Sequence, residues 1–120
     1  MQLPTITAAS SLLLVPLIVK GALACSAYTY CHCYDSNGTV NVNATGTVCN
    51  RYNYKDSTAV MVSDECQYTG KERRWVGKLW VWYGFSNCDF RELCAEAGAT
   101  GDDSSCREKP GGAQGFAPHS

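Results

Sequence analysis

The chain has 120 residues, with 8 Cys, 7 Tyr, 3 Trp and 2 His, and its 10 basic and 11 acidic residues leave a net charge of -1. That length allows one small domain, the balanced charge with no basic block argues against a nucleic-acid binder held by phosphate contacts, and the apolar run near the N-terminus is too short and interrupted to span a bilayer. Eight cysteines in so short a chain indicate a disulfide scaffold rather than a large hydrophobic core.

Residues Leu12 to Val19 are apolar, and Ala22 and Ala24 supply the small side chains that a signal peptidase reads. Residues 1–24 therefore read as a secretion signal with cleavage before Cys25. No Lys or Arg precedes Lys20, a departure from the usual signal. The competing readings are a buried helix, which Pro16 disfavours, and a lipoprotein signal, which would want Leu rather than Ala22. The remaining 96 residues keep all eight cysteines and carry 9 basic against 11 acidic side chains. Export places them in an oxidising compartment where an even number of thiols can pair fully.

Ser26 to Tyr34 is rich in aromatic and β-branched residues and predicts a strand, ended by the turn Asp35-Ser36-Asn37-Gly38. Residues 43–52 place Val48, Cys49 and Tyr52 on one helical face, with Asn43 as N-cap. Gly46 and three β-branched neighbours weaken that helix. Ala59 to Val62 predicts a short strand, and a turn follows near Gly70. Arg74 to Tyr83 is the strongest strand in the chain. Ser86 opens a second helix with Phe90, Leu93, Cys94 and Ala97 on one face, and Gly98 closes it. Ser104 to Arg107 is a last edge strand bearing Cys106, and residues 110–120, rich in Gly and Pro, are expected to be a mobile tail.

The expected class is α+β. The order β-α-β-β-α-β describes a disulfide-stapled domain with two helices on one face of an antiparallel sheet, spanning 25–109. Cys25, Cys31, Cys33, Cys49, Cys66, Cys88, Cys94 and Cys106 are the expected bridge partners. Cys31 and Cys33 lie two apart on a strand and share a face. They are expected to staple the two helices by pairing with Cys49 and Cys94 in either order. Zinc is the competing use of Cys31-His32-Cys33, but the paired spacing of a zinc knuckle is missing. No metal or cofactor is expected.

The Cys-His-Cys-Tyr-Asp strand end, the Cys49-Asn50-Arg51-Tyr52 helix, the Cys88-Asp89-Phe90 helix start, Cys94, Gly98-Ala99-Thr100-Gly101 and Ser105-Cys106-Arg107 follow a secretion signal. In this order and spacing the chain resembles the small secreted cysteine-rich proteins of filamentous ascomycete fungi, many of them candidate effectors. The resemblance implies secretion and action on a host or competitor, and some such proteins adopt a compact α/β fold like that of the fungal viral killer toxins. It carries over no catalytic residue.

Conventional catalytic patterns are absent. His32 is the one histidine ahead of the tail, His119 being the other; a secreted ribonuclease would want a second His, or a His with Glu and Arg, and neither such a set nor a nucleophile motif can be placed around it. Asp102-Asp103 reads as a solvated turn, and in Asp35-Ser36-Asn37-Gly38 the glycine comes too early for a calcium loop. Asn37 and Asn43 head two glycosylation sequons. Arg73-Arg74 is a dibasic pair of the kind that secretory proteases cut. On one continuous strand, Trp80 and Trp82 share a face with Lys78, a candidate binding surface that either packs in the core or meets a glycan or protein. The expectation is a secreted, extracellular monomer with no catalytic site. It would bind a host protein or cell-wall glycan, in the apoplast if the host is a plant. An antimicrobial or killer-type toxin and a chitin-binding module are the alternatives.

Overall fold

The computed structural model describes residues 25–120, and the expected secretion signal lies outside them. The element order is β1 (Ala27–Tyr28), β2 (Tyr30–Cys33), α1 (Val42–Arg51), β3 (Ala59–Val62), β4 (Glu65–Tyr68), β5 (Arg73–Val76), β6 (Leu79–Ser86), α2 (Asn87–Glu96), β7 (Ser104–Arg107) and β8 (Gln114–Phe116). The α+β class holds, but the strands exceed the four expected and form two sheets rather than one. In the first sheet β6 pairs antiparallel with β1 and β5 and parallel with β8. The second runs β3-β4-β2-β7, antiparallel throughout.

The expected strand from Ser26 to Tyr34 is split at Thr29. There the backbone N–H donates to Glu108 and the carbonyl accepts from Tyr68, so the chain leaves one sheet for the other. The expected strand from Arg74 to Tyr83 is a hairpin. Gly77, at φ +63, takes the first place of the two-residue turn Gly77-Lys78, the position where a tight hairpin turn needs glycine.

Helix α1 starts earlier than the sequence suggested. Asn41, not Asn43, is the cap, and its side-chain oxygen accepts from the Ala44 N–H at 2.9 Å. That phase buries Ala44, Thr45, Val48 and Cys49 and leaves Asn43 exposed. Thr45 is fixed twice, its hydroxyl donating to the Asn41 carbonyl and accepting from the Cys33 N–H. Helix α2 is capped by Ser86 as expected, and it closes with Gly98 in the left-handed region. Gly98 N–H reaches the Ala95 carbonyl and Ala99 N–H reaches that of Cys94, which satisfies the last turn.

All eight cysteines are bridged: Cys25–Cys88, Cys31–Cys106, Cys33–Cys94 and Cys49–Cys66. Cys31 and Cys33 do share the buried face of β2. Cys33 reaches α2 through Cys94, one of the expected staples. Cys31 does not reach α1, because Cys106 lies directly opposite it on β7 with the Cα atoms 4.0 Å apart. Helix α1 is instead tied to β4 through Cys66. The remaining core is aromatic: Tyr52 lies 4.6 Å from Phe85 and 5.9 Å from Phe90 between ring centres. Burial pushes the Tyr52 phenol well above its ordinary pKa.

Residues 110–120 are not a free tail. Strand β8 pairs with β6, Ala117 is buried and its N–H donates to the Gly84 carbonyl at 2.8 Å. Gly115 makes this docking possible, since a Cβ there would sit 2.6 Å from the Tyr83 ring. Beyond it His119 packs edge-on against Tyr52, and Arg51 donates to the Ser120 carbonyl at 2.8 Å.

Candidate functional site

The hairpin β5–β6 carries every tryptophan in the sequence. Its register sets Arg73 opposite Trp82 and Trp75 opposite Trp80. These four side chains therefore share one face, while Arg74, Val76, Leu79, Val81 and Tyr83 take the other. The root of β6, Gly84 to Ser86, is buried, and the distal end is not. Trp75 is 59%, Leu79 52%, Val76 48% and Trp80 44% exposed, so the end of the ribbon is apolar on both faces.

The indoles are held both by Arg73 and by one another. Arg73 lies over Trp80 at 4.4 Å and over Trp82 at 5.4 Å. Trp75 meets Trp80 edge to face, with centres 5.2 Å apart and planes at 69°. On the other face Arg74 covers Tyr83 at 5.4 Å and is ion-paired with Asp56. The hydrogen bond from Arg74 lowers the Asp56 carboxyl below its ordinary range. Trp80 and Trp82 thus share a face, as the sequence indicated, but Lys78 sits in the turn and not on that strand face. Trp75 and Arg73 were missed as members of the set. A glycine between two aromatic-rich segments was the available signal for the turn that brings them together. Beside the hairpin's base, Trp82, Glu72, Glu108 and Pro110 line an open cleft of about 530 Å³.

The other singled-out residues lie elsewhere. His32, on the outer face of the second sheet, has Glu65 4.0 Å from its Nδ1. Arg107 grips both Glu65 oxygens at 2.8–3.1 Å and stacks on Tyr30 at 4.1 Å. The fold thus assembles the His-Glu-Arg set that spacing could not place. Arg107 donates to both Glu65 oxygens, and these hydrogen bonds hold the carboxyl below its ordinary range, while the buried His32 Nδ1 has no hydrogen-bond partner. Among the described residues no group of three or more Cys, His, Asp or Glu is arranged to hold a metal ion.

Asp35 braces two loops, accepting from the Thr100 N–H at 3.0 Å and the Asn41 amide at 3.1 Å, and the first of these bonds does most to lower its pKa. Asp103 accepts from the Ser104 N–H, a local turn contact. Asn37 and Asn43 are both exposed. Arg73 and Arg74 are locked in the β5–β6 ladder, so a protease would have to strip β5 away to reach the bond between them.

Among the described residues no helix is long and apolar enough to cross a membrane. Comparison with known proteins finds no match to any family model, any curated protein or any solved structure. Four bridges in so small a domain fit an extracellular protein.

Proposed function

We propose that the chain is a secreted, effector-like protein that acts by binding a host target during fungal colonisation, without catalysis, and that the β5–β6 hairpin is its recognition surface. The observation that carries this reading is the partition of aromatic side chains. Tyr52, Phe85 and Phe90 build the buried core, whereas Trp75 and Trp80 stand exposed on a ribbon whose root is fixed in it. Tryptophan and arginine are the residues that most often dominate binding energy at interfaces, and here they are stacked before any partner arrives. Pre-stacking lowers the ordering cost of association.

The alternative of a chitin-binding module is less well supported. A flat polysaccharide stacks on coplanar, open indole faces, but Trp75 and Trp80 are steeply inclined and Arg73 covers Trp80 and Trp82. Glycosylation at the exposed Asn37 and Asn43 belongs to the same secreted reading; deglycosylation that leaves gel mobility unchanged rules it out.

The test is surface labelling of host tissue with oxidised protein and with a Trp75→Ser/Trp80→Ser variant of matching circular dichroism. The native protein is expected to label the tissue and the variant to lose most of that signal. Equal labelling by both overturns the hairpin as the recognition surface.

A further inference from the structure

The net charge of residues 25–120 hides a segregation. Within residues 71–79, Lys71, Arg73, Arg74 and Lys78 stand against Glu72, a sequence charge of +3, and the ion pair of Arg74 with Asp56 leaves Lys71, Arg73 and Lys78 as the cations open to a partner, while the rest of the domain has 5 basic against 10 acidic residues. The same nine residues hold Trp75, Val76 and Leu79, and Trp80 follows directly. The hairpin is therefore both the most cationic and the most exposed apolar segment of a domain that is otherwise acidic.

We infer that the hairpin docks on an anionic lipid surface, with Trp75 and Trp80 entering the headgroup boundary and Lys71, Arg73 and Lys78 meeting lipid phosphates and carboxylates. This rests on the hairpin being the recognition surface and names what it recognises. Three features select lipid over a protein patch or a glycan. The end of the ribbon is apolar on both faces, which suits a medium that surrounds it rather than a surface that meets one side. Tryptophan has its preferred place at the membrane interface, where an apolar ring and an N–H are both accommodated. The cations lie within a few residues of the indoles on a short ribbon, close enough to stay at headgroup level while the rings sink, the long stem of Lys78 reaching back from the turn. Docking is peripheral: the paired end of the hairpin, Arg73–Val76 with the first four residues of β6 and a two-residue turn, is too short to span the hydrocarbon, and the root of β6 is fixed in the core.

Opposite charge makes this attraction depend on salt and on lipid composition. Each cation close to an anionic leaflet strengthens binding severalfold, and the effect fades beyond a Debye length. The acidic remainder of the domain is repelled by the same surface and keeps the hairpin as the point of contact.

The experiment uses oxidised protein and two kinds of vesicle: phosphatidylcholine alone, and three parts phosphatidylcholine to one part phosphatidylserine. Co-sedimentation is expected on the anionic vesicles, at least tenfold stronger than on the neutral ones. Because every tryptophan is on the hairpin, emission should shift to the blue on binding. Lys71→Gln/Lys78→Gln, which leaves the stacked residues alone, should weaken binding roughly tenfold or more. Trp75→Ser/Trp80→Ser should remove most of the apolar part, leaving Val76 and Leu79, and make the remaining binding chiefly salt-sensitive adsorption. Equal binding to both vesicles, no binding, or binding without an emission shift overturns the lipid assignment. If hairpin-dependent tissue labelling persists in that event, recognition by the hairpin stands and its partner is a protein or a glycan.

Discussion

Removing the Cys33–Cys94 bridge by Cys33→Ala/Cys94→Ala tests how the four bridges work together. Taken alone, a link across 61 residues restricts the unfolded chain by about 4 kcal/mol, against about 3 kcal/mol for the 17-residue separation of Cys49–Cys66. The unfolded chain is not free, however, because Cys31–Cys106 already ties together positions close to Cys33 and Cys94. Running through that bridge, the loop closed by Cys33–Cys94 is only about 14 residues, so its loss costs about 3 kcal/mol. Cys25–Cys88 gives a detour of similar length. All four sulfurs in the two compared bridges are buried, so lost packing adds a similar amount to each. The two double variants should therefore be destabilised almost equally. Urea unfolding followed by far-ultraviolet circular dichroism measures both. A cost for Cys33–Cys94 exceeding that of Cys49–Cys66 by more than about 1 kcal/mol would refute the reasoning, since it would mean the outer bridges do not constrain the unfolded chain.

Three further expectations follow from local geometry. Gly84→Ala places a Cβ 2.6 Å from the Tyr28 carbonyl, a backbone atom that cannot swing away, and should cost about 1–3 kcal/mol in thermal or urea unfolding. Asn41→Ala should cost about 1 kcal/mol through the lost helix cap, whereas Asn43→Ala at its exposed site should stay within about 0.5 kcal/mol; the reverse order would contradict the position of the cap. Asp35 has a lowered folded-state pKa, so its contribution is complete above the ordinary aspartate range, near pH 4, and is lost as pH falls through the lower folded value. Asp35→Asn should accordingly flatten the acid side of the stability profile and leave its neutral side with the same slope.

Much of this architecture was legible because cysteines and caps carry local information. Period-two spacing put Cys31 and Cys33 on one face, and Ser86 and Gly98 framed α2 by their capping chemistry. What was not legible depends on partners distant in sequence. Nothing near Ser26–Tyr34 signals that Thr29 hands the chain from one sheet to another, because Glu108 and Tyr68 impose the switch. Composition made 110–120 look mobile, yet the glycine that suggests freedom, Gly115, is what lets the segment lie against Tyr83. Asn41 and Asn43 are equally good caps in isolation, and burial of Thr45 against Cys33 decides between them. At the candidate site the Trp80–Trp82 face was readable from alternation. Reading Arg74–Tyr83 as one strand hid the hairpin, and with it Trp75 and Arg73.

Collisional quenching of tryptophan emission by iodide and acrylamide in the oxidised protein tests the central claim most directly, because the hairpin is the source of all indole fluorescence. Indoles kept out of the core and offered to solvent predict a red-shifted spectrum that both quenchers reach in the native state, iodide most strongly because of the neighbouring cations. A blue-shifted spectrum that neither quencher reaches until the protein is unfolded would show the tryptophans to be core residues and would contradict the account.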